Sequence, residues 1–245
     1  MKNFKLILSY DGGRYQGWQR LKGVDNTIQG KLENTLSRIL GETVEVIGSG
    51  RTDAGTHALG QVANFHTSAR ITAQEVLEQL RRYLPEDIGI ESCCEVDDRF
   101  HSRYLAKEKT YVYRVWNSAA PCVFRRRYVY QLDAALDERV MRLVCPVFVG
   151  QHDFAAFCSV KGKKKSTVRT VYRCDFRREG EELIFTFRGD GFLYNQVRIM
   201  VGTILEAGMG RITVEEIQEL LRTGQRAQAG FTVPAKGLCL MEVRF

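Results

Sequence analysis

Apolar and polar residues alternate from Phe4 to Ser9 (FKLILS), the period of a half-buried strand, and the strand runs into the turn-rich YDGGRYQGW. From Thr27 to Leu40 the period becomes helical, with Ile28, Leu32, Leu36, Ile39 and Leu40 on one face. Asn26, followed three residues later by Gln29, has the spacing of an N-cap and its capping box. Thr43 to Ile47 reads as a strand, a glycine-rich loop intervenes, and Gln61 to His66 reads as the next strand. A second helix over Ile71 to Leu84 opens with Thr72 and Glu75 in capping-box spacing and places Arg81 and Arg82 in its last turn. It stops before Pro85. Ile88 to Val96 supplies a closing strand. The order β-α-β-β-α-β predicts a split βαβ fold, an antiparallel sheet with two helices on one face.

The second half echoes this order more loosely. KTYVYRVW (Lys109 to Trp116) alternates strongly, and Leu136 to Val149 has a helical pattern that Pro146 should kink or end. Val171 to Arg178 and Glu182 to Gly189 flank Glu179-Gly180-Glu181 as a hairpin. Phe192 to Leu205 sets Leu193, Val197, Met200, Val201 and Ile204 on one helical face, and Thr213 with Glu216 caps a short helix that ends at Gly224. GLCLMEVRF closes the chain as a strand. The expectation is an α+β protein of two domains, residues 1–105 and 106–245, with antiparallel sheets.

Charge separates the halves. Residues 1–105 carry 13 Lys/Arg against 14 Asp/Glu, whereas 106–245 carry 23 against 15, so the whole formal excess of +7 sits in the second half. A basic half fits nucleic acid, or simply a well-solvated surface. Seven scattered cysteines without a CxxC pair fit a reduced, cytoplasmic protein, and the four histidines form no metal-ligand spacing. No metal and no membrane span are expected; Leu6-Ile7-Leu8 is too short for a signal-peptide core.

GSGRTDAGTHALGQ (Gly48 to Gln61) sets one carboxylate, Asp53, among glycines with Arg51 two residues before it. It lacks the GK[ST] of a phosphate loop. Either Gly48, Gly50 and Gly55 let a bulky ligand approach Asp53, or the stretch is an ordinary Asx-turn. Phe100 to Tyr104, with His101 and Arg103, and Lys107 to Tyr111, with Lys109, mix cations with aromatics, as suits phosphate contact beside base stacking. Tyr111 and Tyr113 share a strand face and fit a core equally well. Arg198 flanks an apolar helix, either snorkelling or awaiting a carboxylate. Lys161-Gly162-Lys163-Lys164-Lys165 reads as a solvated loop or a phosphate-contacting arm.

RTDAGTHALGQVANF, YDGGRYQGWQR, FHSRYLAKEKTYVYRV, HDFAAF and GFLYNQVRIMVG together resemble the tRNA pseudouridine synthase A family, in family order from about residue 9 to the C-terminus. The sequence departs at Thr56, where the family pattern commonly has a small aliphatic residue. The resemblance implies two RRM-like halves around a basic cleft, a homodimer, and a cofactor-free isomerase acting on tRNA. The expected targets are uridines at positions about 38 to 40 on the 3′ side of the anticodon arm, where the reacting base must leave its stack. It further implies Asp53 as the catalytic nucleophile or a base on the ribose, Tyr111 stacked on the target uracil, and Arg198 pairing with the carboxylate. Arg51, Arg103, Lys109, Lys163, Lys164 and Lys165 are the expected substrate contacts. Two rival classes are a non-catalytic RNA-binding protein with RRM-like domains and a nucleoside hydrolase built on Asp53.

Overall fold

Strand β1 (Lys2–Tyr10) buries Phe4, Leu6 and Leu8 completely on one of its faces, as the alternation of its sequence predicts. The computed structural model describes residues 1–159 and 166–245, so Lys161 and the Lys163 to Lys165 run fall outside the described residues. The chain forms two units, Met1–Lys107 with Cys239–Phe245, and Glu108–Leu238.

In the first unit β1 is followed by α1 (Ile28–Leu40), β2 (Val46–Gly48), β3 (His57–Thr67), α2 (Ala73–Tyr83) and β4 (Ile88–Val96), the order its sequence predicts. β1 pairs antiparallel with β4 on one side and β3 on the other, in a register that sets Phe4 opposite Phe65 and Leu6 opposite Ala63. The far edge of β3 is shared by β2, antiparallel at Ala63 to Phe65, and by the C-terminal strand Leu238–Arg244, parallel at His57 and Ala58. Ile28, Leu32 and Leu36 of α1 and Val76 and Leu80 of α2 are buried. Each such side chain contributes about 1.5–3 kcal/mol over an exposed position.

The caps follow the sequence at α2, where Thr72 and Glu75 form a full capping box. At α1 they do not. Thr27 is the N-cap, accepting from the Gly30 N–H, while the Asn26 amide donates to the Arg14 carbonyl. Gln29 is no box partner: its buried amide donates to Glu33 and to the Val46 carbonyl. β3 also begins at His57 rather than Gln61, since pairing with Tyr10 of β1 at Ala58 and with the C-terminal strand at His57 and Ala58 extends it.

The second unit holds β5 (Glu108–Asn117), β6 (Tyr130–Leu132), α3 (Glu138–Val144), β7 (Gly150–Asp153), β8 (Val168–Glu179), β9 (Glu182–Gly189), α4 (Gln196–Gly208) and α5 (Val214–Thr223). Its sheet runs β7-β8-β9-β5, with β6 parallel on the outer edge of β5. The hairpin turns at Gly180, φ +59°, and α3 ends before a short 3-10 turn that carries Pro146. α4 starts four residues into the predicted helix because Asn195 adopts φ +63°, the one left-handed non-glycine residue among those described, and the Gln196 side chain accepts from the Leu193 N–H. The α5 capping box of Thr213 and Glu216 is present. Among the described residues no helix is long and apolar enough to cross a membrane. All seven cysteines are free thiols.

Candidate active site

Asp53 lies in the connection between β2 and β3, half-buried, between exposed Arg51 and Ala54 and buried Thr52. The two sequence blocks YDGGRYQGW and RTDAGTH fold onto each other there. The Trp18 N–H donates to the Thr52 carbonyl at 3.0 Å, and the Gly55 N–H to the Tyr15 carbonyl at 3.2 Å. Asp53 itself turns the chain, its own carbonyl accepting from the Thr56 N–H at 3.0 Å. The main chain is thus pinned immediately before and after the carboxylate.

Beneath the loop is a buried polar network. The hydroxyls of Tyr10 and Thr52 share a hydrogen bond of 2.8 Å. Gln61, fully buried on β3, donates to the Gly50 carbonyl at 3.0 Å and accepts from the Ser49 hydroxyl at 2.6 Å. Burial pushes the Tyr10 phenol well above its ordinary range, so it stays protonated and able to donate. A buried polar network rigidifies its surroundings only when its members are satisfied, and these bond both to one another and to the loop backbone.

Two glycines earn their place by close approach rather than by ligand access. A Cβ on Gly48 would lie 2.5 Å from the Trp18 indole, so the space expected for a ligand is filled by this ring. Gly17 has φ +87°, and its Cβ would lie 2.7 Å from the Thr52 carbonyl oxygen. The glycine block is tied down from outside as well. The Gly12 N–H donates to His57 Nδ1 at 3.1 Å, and Asp87 accepts from Arg14 Nε at 3.0 Å and from the Tyr15 hydroxyl at 2.6 Å. Burial opposes ionisation of Asp87, but the bonds from Tyr15 and Arg14 outweigh it and hold its carboxyl below the usual range.

Tyr111 and Arg198 belong to the second unit. Tyr111 lies on β5 opposite Phe187, 7% exposed, its ring edge-on to Phe192 at 5.4 Å. Its strand neighbour Tyr113 is wholly buried and donates to the Pro234 carbonyl at 2.7 Å. Arg198 is half-buried on the first turn of α4, where Nε donates to the Val233 carbonyl at 2.8 Å and Nη1 to the Asn195 amide oxygen at 2.7 Å. The left-handed Asn195 therefore fixes the guanidinium. Arg103 is exposed and Lys109 half-buried. Sequence reasoning missed Tyr10, Gln61, Gly17 and Asp87; Tyr10 and Gly17 lie in the turn-rich YDGGRYQGW block and Gln61 ends GSGRTDAGTHALGQ, whereas Asp87 lies in neither stretch. Among the described residues no group of three or more His, Cys, Asp or Glu could hold a metal ion.

A family model described as tRNA pseudouridine synthase matches residues 6–105 and 144–245, which include Asp53 and Arg198 and leave Tyr111 in the interval between. The tRNA pseudouridine synthase A of Bacillus sp. (strain KSM-64) is 48% identical over 100% of both chains. tRNA pseudouridine synthase A 2 of Bacillus cereus and tRNA pseudouridine synthase A of Acetivibrio thermocellus are each 44% identical, also over 100% of both chains. Among solved structures, a chain of the archaeal box H/ACA sRNP Nop10-Cbf5 complex aligns over 92% of this chain and 59% of its own, with a TM-score of 0.38 and 12% identity. On the family match and the full-length relatives, the chain belongs to the tRNA pseudouridine synthase family, isomerases that convert uridine to pseudouridine.

Proposed function

We propose that the enzyme isomerises uridines at positions about 38 to 40, on the 3′ side of the tRNA anticodon arm, flipping each target out of its stack to react. Asp53 is the nucleophile: its carboxylate oxygen bonds C1′ as the C1′–N1 bond breaks, the freed uracil turns, and C5 displaces the carboxylate to form the C1′–C5 bond. C5 then loses a proton and N1 gains one, so the product is an isomer and no cofactor is consumed. Tyr111 stacks on the target uracil and assists removal of the C5 proton, and Arg198 is the cation that supports the ionised catalytic carboxylate.

The observation that carries this reading is the brace on both sides of Asp53: a half-buried carboxylate on a main chain held by Trp18, Tyr15 and the Tyr10–Gln61 network. A nucleophile must be positioned before it reacts, and that rigidity supplies the positioning. Arg51, Arg103 and Lys109 contact phosphates, as do Lys163, Lys164 and Lys165, which enter on sequence alone. Replacing the three lysines should weaken tRNA binding and lower the salt slope by about 2–3. The units act as RRM-like halves of a homodimeric protein. The free thiols fit a reducing, cytoplasmic setting.

The test is an unmodified tRNA transcript incubated with the pure protein and mapped for pseudouridine at every position, with free uracil measured in the same reaction. Product on the 3′ side of the anticodon arm without free uracil is expected. Released uracil would make the protein a hydrolase, and tight binding without product a non-catalytic RNA-binding protein.

A further inference from the structure

We propose that the loop tip Val123 to Arg127 is a second RNA-contact site, where Phe124 stacks on an unpaired base other than the reacting uracil and Arg126 and Arg127 grip its phosphates. The inference rests on tRNA as the substrate. The loop joins β5 to β6 and lies between the two stretches that the family model matches.

Phe124 is 97% exposed and Val123 55%, beside three consecutive arginines that are all exposed. A single exposed apolar residue is ordinary. This one is held out on a built support. Arg125 stacks over the Trp116 ring at 5.5 Å and ion-pairs with Glu182, whose side chain is 3% exposed and also accepts from Arg114 at 3.0 Å. Trp116 Nε1 donates to the Ala120 carbonyl at 2.8 Å, and the Tyr128 N–H to the Arg125 carbonyl at 2.8 Å. Arg126 reaches back to the Val123 carbonyl at 2.6 Å, which sets its guanidinium at the tip. Ordering is therefore built in before any ligand arrives, which lowers the entropy lost on binding.

The chemistry of the tip selects the ligand. From Ser118 to Leu132 there is no acidic residue, and the second unit as a whole carries 21 Lys/Arg against 14 Asp/Glu. A rigid aromatic ring beside guanidinium groups, with the Glu182 carboxylate buried beneath Arg125 and none from the loop itself, matches a splayed nucleobase on a phosphate backbone, the mode by which single-stranded RNA is commonly held. A protein partner would find no acceptor side chain among the exposed residues of the tip. A membrane would find one ring and one valine.

The experiment compares the full chain with its Phe124→Ala, Phe124→Leu, Phe124→Trp and Arg126→Ala/Arg127→Ala variants, measuring affinity for an unmodified tRNA transcript over a salt series. Because Phe124 is so exposed, its variants should melt as the wild type does. Expected are affinities roughly tenfold weaker for Ala and for Leu, with an unchanged salt slope, and retained for Trp, since any aromatic face can stack. The double arginine variant should lower the salt slope by about 1.4–1.8. Wild-type affinity in Phe124→Ala or in Phe124→Leu overturns the proposal. So does an Ala variant that keeps its RNA affinity but changes oligomeric state in sedimentation, or loses binding to anionic vesicles. Pseudouridine formation by the wild type, followed alongside, tests the proposed function separately, because the affinity comparison decides the tip whether or not product appears.

Discussion

The two units hold the residues of the proposed chemistry on different kinds of backbone. In the first, Asp53 rides an irregular loop whose geometry is imposed by residues far away in sequence, Tyr10, Tyr15 and Trp18, together with Gln61 at the loop's own end. In the second, Tyr111 sits on a strand and Arg198 on a helix, positions that a regular repeat defines locally. A loop can present a carboxylate at an angle no strand allows, but it must then be fixed by tertiary packing. Damage to that packing should reach Asp53 without touching it, whereas the regular elements of the second unit should tolerate distant changes.

The largest effect that sharpens this contrast is on Arg198. If Arg198 plays the proposed electrostatic role, Arg198→Met should lower turnover on the order of 10³-fold, while its lost bonds to the Val233 carbonyl and Asn195 cost only about 1–2 kcal/mol of stability. Single-turnover kinetics beside a melting curve check it, and unchanged turnover would remove Arg198 from the machinery. Gly17→Ala attacks the other side. Its left-handed φ and the approach to the Thr52 carbonyl should cost about 3 kcal/mol and displace the Asp53 loop, so that stability and turnover fall together. If denaturant unfolding detects no loss, the brace is not as tight as its geometry implies.

Asp87→Asn is a gentler probe of the same brace. The Asp87 carboxyl is depressed in the folded state, so the stability it adds is complete above its unfolded pKa of about 3.8 and is lost as pH falls through its lower folded value. The variant should lose about 1–2 kcal/mol at neutral pH, and its stability should vary less with pH below that pKa. Chemical denaturation at several pH values reads both. The smallest effect concerns Thr56, whose buried hydroxyl oxygen finds no hydrogen-bond partner among the described residues. Thr56→Val removes the unsatisfied group at nearly constant shape, and a gain of about 0.5–1 kcal/mol is expected by the same measurement.

The contrast also explains what the sequence made legible. Strands and helices followed from the period of their apolar residues, and the boxes at Thr72 and Thr213 followed from spacing alone. The α1 cap did not, because Asn26 and Thr27 are adjacent good caps and only the contact of Asn26 with Arg14 decides between them. The start of β3 was hidden for the same reason, as its partners there are Tyr10, 48 positions earlier, and the strand at the other end of the chain. Of the candidate functional residues, Asp53, Tyr111 and Arg198 stood out through motif resemblance. Their supports did not: Tyr10 and Thr52 are 42 residues apart, Gly48 gives way to a tryptophan 30 positions earlier, and such pairings leave no local period.

The most direct measurement is pseudouridine formation in an unmodified tRNA transcript by wild type and Asp53→Asn side by side, with tRNA affinity recorded for both. The variant should bind tRNA as well as the wild type but form product on the order of 10⁴-fold more slowly, or not at all, since an amide cannot serve as the ionised nucleophile. An Asp53→Asn protein that still makes pseudouridine at the wild-type rate would exclude Asp53 as the nucleophile.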